Sequence, residues 1–125
     1  MIFVDTSAWV EYLRDTGSWA CEQLDARLDD DLAISDMVRL EVLAGARDDA
    51  QLRQLRRLLA RATVLPTTSL DHDVAASLYR TCRQQGLTVR ALSDCLIGAV
   101  ALRHGRSVLH ADRDFDALAR ATDLE

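Results

Sequence analysis

The chain predicts an α/β fold: a mainly parallel central sheet layered between helices. Short apolar runs of strand length, such as "IFV" and "LAIS", are separated by longer segments with apolar residues at helical spacing. Strand and helix alternate along the whole chain, the order of right-handed βαβ units. Its 125 residues make one domain, 1–125, of common size and with material for a real core.

The first strand is read over 2–5, where Ile2, Phe3 and Val4 run into Asp5. Helices follow over 7–15 and 18–29, divided at Gly17–Ser18. A strand at 32–35 leads to a helix that opens at Ser35–Asp36 and closes near Gly45. Leu52, Leu55, Leu58 and Leu59 recur at helical spacing and predict a helix over 48–61. A short strand or extended link covers 63–67, and a helix over 71–85 stops at Gly86. The next helix begins near Ser93 and ends at Gly105. A strand at 107–111 and a helix at 114–121 complete the pattern.

Composition narrows the classes. With 49% apolar and 28% charged residues, the chain reads as an ordinary soluble globular protein. No apolar run approaches the roughly 20 residues a bilayer span needs. The N-terminus lacks the basic and apolar regions of a leader, so the cytoplasm is the expected compartment. Cys21, Cys82 and Cys95 are odd in number and form no C-x-x-C pair, which favours reduced thiols over a disulfide framework or zinc. His72, His104 and His110 are scattered, against a nitrogen-ligated metal. A net charge of −5 argues against indiscriminate nucleic-acid binding. All 15 basic residues are Arg, however, and a local Arg patch suits phosphate.

Four acids stand in apolar settings. Asp5 ends the first strand, either as a helix N-cap or as an acid at the sheet's C-terminal edge, where open α/β sheets bind ligands. Glu41 shares its helix face with Met37, Val38, Ala44 and Gly45, as a site acid or a partner of Arg39. Asp94 has Ala91, Ile97, Gly98 and Ala101 as face neighbours, as a site acid or one favoured by the helix dipole. Asp112 follows the last strand; Asp114 competes with it, and is read as the cap of a helix opening at Phe115. Each of the four lies after a strand or on a helix that starts at the same sheet edge. Carboxylates gathered there raise one another's pKa unless a counter-charge is present. A hard divalent cation, Mg²⁺ or Mn²⁺, supplies one through oxygen ligands.

"FVDTSAWVEYL", "SDMVRLEVLAGA", "ALSDCLIGAVALRHG" and "VLHADRDFDALA" together resemble the PIN-domain ribonucleases, specifically the VapC toxins of type II toxin–antitoxin modules. The resemblance spans nearly the whole chain, and the family's acids fall on Asp5, Glu41, Asp94 and Asp112. It implies a PIN-like α/β/α sandwich and Mg²⁺-dependent endonucleolytic cleavage of RNA. Asp5 and Asp94 are then direct metal ligands, and Glu41 and Asp112 hold a second ion or orient its waters. Thr6 and Ser7 fix the Asp5 carboxylate, touch phosphate or serve as capping residues. A homodimer and a VapB-like antitoxin are the implied partners, with Trp9, Val10, Tyr12, Leu13 and Trp19 as core residues or as a groove for a partner segment. Among the arginines, those at 53, 56, 57 and 61 read as a solvated helix face. Arg90, one turn before Asp94, is the expected phosphate contact.

Two other acid-based folds fail on named residues. A haloacid-dehalogenase-like phosphatase needs a second Asp where this chain has Ser7. A receiver domain needs a Lys, and the chain has none. The remaining rival is a PIN fold that binds without catalysis, which a metal-dependent ribonuclease assay separates.

Overall fold

Four strands form one parallel sheet in the computed structural model, which describes residues 1–121. They are β1 (Ile2–Val4), β2 (Leu32–Ser35), β3 (Ala62–Leu65) and β4 (Val108–Leu109), in the order β3-β2-β1-β4. Phe3 pairs with Ala33 on one side and with Val108 on the other, and Ser35 pairs with Leu65. The helices are α1 (Thr6–Leu13), α2 (Trp19–Ala26), α3 (Asp36–Ala44), α4 (Asp49–Leu59), α5 (Ser69–Gln84), α6 (Leu92–Arg103) and α7 (Arg113–Ala121). The α/β sandwich and every expected element are present.

The central strands are apolar because helices cover both of their faces. Phe3, Val4, Leu32, Ala33 and Ile34 are all buried, whereas Thr63 and Val64 on edge strand β3 are exposed. Helix α6 is buried on every side from Asp94 to Ala101, so its sequence lacks a polar face. Helix α4 is the opposite case. Leu55 and Leu59 enter the core while Arg53, Arg56 and Arg57 face solvent, as their spacing predicts. Gly86 and Gly105 end α5 and α6 at φ +72° and +60°, a left-handed backbone that favours glycine.

Parallel pairing sends every strand's C-terminal end to one edge. The chain builds the sheet outward from β1 through β2 to β3, then returns to place β4 on the other side of β1. The order therefore reverses between β1 and β4, where ligand crevices form in such sheets. Asp5 leaves β1 and Asp112 follows β4 at that point. Several bounds shift locally, among them β4, which keeps only Val108–Leu109 of the expected 107–111, and α2, which ends at Ala26 short of 29. The first strand stops at Val4 because Asp5 already caps α1, and α6 starts at Leu92, ahead of Ser93.

Candidate metal centre

Asp5 answers both of its readings at once. One oxygen, Oδ2, accepts the Ser7 backbone N–H at 3.0 Å and the Ser7 hydroxyl, and so caps α1. The other, Oδ1, is buried and has no hydrogen-bond partner among the described residues. The Ser7 hydroxyl oxygen also accepts the Ala111 N–H at 2.9 Å, which ties the turn after β1 to the loop after β4. Thr6 donates its hydroxyl to Glu41 Oε1 at 2.9 Å. Glu41 is thus held by the first turn of α1, and its alternative partner Arg39 makes no such bond among the described residues.

The other end of the site is built by exchange between helices. Ala91 begins α6 with no side chain able to cap it. Asp114 reaches across from α7 and accepts the Arg90 N–H at 2.9 Å and the Ala91 N–H at 3.0 Å. Asp112 in turn caps α7, accepting the Asp114 N–H at 2.9 Å. The expected assignment of the cap to Asp114 is therefore corrected. Asp112 stands at the helix entrance, and Asp114, inside the first turn, is free to serve a different helix. One carboxylate oxygen from each of Asp94, Asp112 and Asp114 lies within 4.8 Å of the others.

Burial sets the electrostatics. It pushes the Asp94 carboxyl up to about 9, with a hydrogen bond to Asp114 and the charges of Asp5, Asp112 and Asp114 adding to it. Burial opposes the Asp114 charge as well, but hydrogen bonds from Asp94 and from Arg90 and Ala91 outweigh it and hold this carboxyl below the ordinary range. The two therefore share one proton when no cation is present. Asp5 is raised, first by burial and with Glu41 adding, against the bonds from Ser7 and Thr6. Glu41, Asp5, Asp94 and the Asp112–Asp114 pair are thus a continuous series of interacting carboxylates. Asp94, Asp112 and Asp114 cluster through their carboxylate oxygens, while Asp5 and Glu41 connect to them through their charges.

This donor set fits a hard divalent cation. Every candidate ligand is a carboxylate oxygen, three of them already cluster, and Asp5 Oδ1 is a buried acceptor with nothing to accept. Arg90 is not free beside the site. Its Nη2 lies 3.2 Å from Asp112 Oδ1 and its Nε 3.5 Å from Asp114 Oδ1.

The aromatic and apolar residues of the first two helices separate into three places. Trp9 is in the core. Val10 and Leu13 line a cavity of about 430 Å³ with Glu41, Val42 and Leu55, rimmed by Arg14 and Arg47. Trp19 is 66% exposed and lines a second depression with His110, Asp112 and Arg113. One continuous groove across all five is not formed.

The PIN-domain family model matches residues 2–121. The chain belongs to the PIN-domain family. It is 42% identical over 132 residues to VapC ribonuclease Mb1587 of Mycobacterium bovis and to ribonuclease VapC11 of Mycobacterium tuberculosis, covering 100% of this chain and 96% of each relative. Among solved structures, VapBC2 from Rickettsia felis bound to a promoter DNA fragment shares its fold with a TM-score of 0.76 at 19% identity, covering 99% of this chain and 96% of that one. VapBC-1 from nontypeable Haemophilus influenzae gives 0.75 at 20% identity, covering 100% and 96%. Asp114, which the sequence offered as the competitor of Asp112 and which was read as a cap, lies in one carboxylate cluster with it.

Proposed function

We propose that this PIN domain, spanning 1–125, is an Mg²⁺-dependent endoribonuclease and the toxin of a type II toxin–antitoxin module. The observation that carries the reading is the Asp94–Asp112–Asp114 cluster, with the unpartnered, buried Asp5 Oδ1 on the strand end where strand order reverses and the Asp5 charge acting on Asp94. The relatives' names, ribonucleases of the VapC type, support RNA as substrate.

Asp5 and Asp94 are the direct ligands in this reading, with Glu41 and Asp112 beside them and Asp114 as an added acid. When bound, Mg²⁺ or Mn²⁺ supplies the charge that acidifies water and neutralises the scissile phosphate. The residues around it do the rest. Ser7 fixes the Asp5 carboxylate, so that its free oxygen keeps one direction. Thr6 fixes Glu41 in the same way. Asp94, which burial holds toward its protonated form, would have to bind a cation as a carboxylate, its proton passing to solvent. Burial of Asp5 and Asp94 keeps bulk water from screening the charges.

The partner reading rests on the VapBC neighbours and on a neighbour from Klebsiella pneumoniae that is a toxin–antitoxin complex. A VapB-like antitoxin segment suits the apolar cavity of Val10, Leu13, Val42 and Leu55, which opens beside Glu41. A homodimer and a cytoplasmic location complete the proposal; no described helix is long and apolar enough to cross a membrane.

The test is to map new RNA 5′ ends after the protein is induced in cells, alongside its Asp94→Asn variant. A small set of new ends that appears only with the wild-type chain is expected. The same ends with Asp94→Asn, or none with either, would favour the PIN fold as a binding module without catalysis.

A further inference from the structure

The guanidinium of Arg90 bridges two of the three clustered carboxylates, Asp112 at 3.2 Å and Asp114 at 3.5 Å. Its backbone is anchored independently, because the Arg90 and Ala91 N–H groups donate to Asp114. The side chain itself is 67% exposed. The guanidinium can therefore leave while the main chain stays in place. A divalent cation and a guanidinium cannot both use Asp112 Oδ1 and Asp114 Oδ1 without like-charge repulsion at close range. Guanidinium also recognises carboxylate and phosphate with the same planar fork, so leaving one prepares it for the other.

The geometry points to Arg90 as a built-in counter-cation of the acid cluster, which a divalent cation displaces onto the phosphate of the RNA substrate. Cation entry and substrate grip are then coupled through one side chain. Only the phosphate half rests on the ribonuclease reading.

Two titrations on the full chain test it. The first follows Mn²⁺ binding calorimetrically, without RNA, for the wild type, Arg90→Ala and Arg90→Gln. Both variants keep the backbone bonds to Asp114. Each is expected to bind Mn²⁺ about two- to fivefold more tightly, the scale of losing one exposed competing ion pair. Equal or weaker binding in both variants would overturn the counter-cation role. The second measures anisotropy of a cleavage-resistant RNA oligonucleotide in EDTA and in Mn²⁺. Mn²⁺ should strengthen RNA binding by the wild type at least about threefold more than by Arg90→Ala. An equal loss of affinity in EDTA and in Mn²⁺ would show that the guanidinium is not released by the cation. RNA that binds neither protein would contradict the nuclease reading and the phosphate half, while the cation titration still decides the counter-cation half.

Discussion

At the scale of single residues, the proton between Asp94 and Asp114 makes stability depend on pH with a definite sign. The Asp94 carboxyl sits near 9 when folded and about 4 when unfolded. Between those values the folded state binds more protons than the unfolded one, so the metal-free protein loses stability as pH rises. Melting temperatures at pH 5 and pH 8 in EDTA should fall toward the higher value, and Asp94→Asn should remove most of that fall. A fall of equal size in the variant would contradict the shared proton. Ser7 gives a second prediction. Its hydroxyl orients Asp5 and accepts the Ala111 N–H. Ser7→Ala should therefore lower kcat about 10- to 100-fold, the usual cost of freeing a metal ligand, with a loss of about 1 kcal/mol in stability. A kinetic split showing a KM effect alone would remove Ser7 from the positioning role. Asp5 and Asp94 were legible because a strand end and an apolar helix face mark them in one dimension. Asp114 was visible only as the rival of Asp112, because the Arg90 and Ala91 N–H groups that hold it lie more than twenty residues earlier in the chain.

Among the elements, α5 and α6 are joined by an ion pair that the sequence does not announce. Thr68 and Asp71 form a capping box at the start of α5. Arg103, in the last turn of α6, donates to Asp71 Oδ1 at 2.9 Å and to Oδ2 at 3.0 Å, and also to the Pro66 carbonyl at 2.7 Å. Those bonds from Arg103 hold the Asp71 carboxyl below its ordinary value, against the burial that opposes its charge. Here the sign is the reverse of that at Asp94. The pair's contribution is complete above about pH 4 and is lost as pH falls through the lower folded value. Asp71→Asn should cost about 1–3 kcal/mol at pH 7 by urea unfolding, as a lost cap and charged hydrogen bonds predict. The cost should shrink at pH 3; a cost that does not change with pH would deny the ion pair its part. Helix and strand identities were readable throughout, since caps and periodicity are local signals. A sequence separation of 32 between Asp71 and Arg103 hides their pairing from any local reading.

Across the whole molecule, the alternation of strands and helices predicted a parallel sheet, but only the strand order shows where that sheet opens. Placing β4 beside β1 sets the end of β1 at Asp5 next to the end of β4 that leads into Asp112, while Glu41 lines the cavity with Val10, Leu13, Val42 and Leu55. The acid site and the proposed antitoxin pocket thus meet at Glu41. Leu13 is partly exposed on the cavity rim. Leu13→Arg should weaken binding of the cognate antitoxin at least about tenfold, the scale of a buried charge in an apolar contact. Cleavage by the free protein should be unchanged, and antitoxin affinity that survives the substitution would move the partner to another face. The central claim is that these carboxylates form one cation-dependent nuclease centre. Its most direct test is cleavage of a single cellular RNA by the purified chain in Mg²⁺, by the same chain in EDTA, and by Asp94→Asn in Mg²⁺. Cuts in the first reaction alone are the predicted result. Equal cutting in EDTA, or by Asp94→Asn with contaminating nuclease excluded, would contradict it.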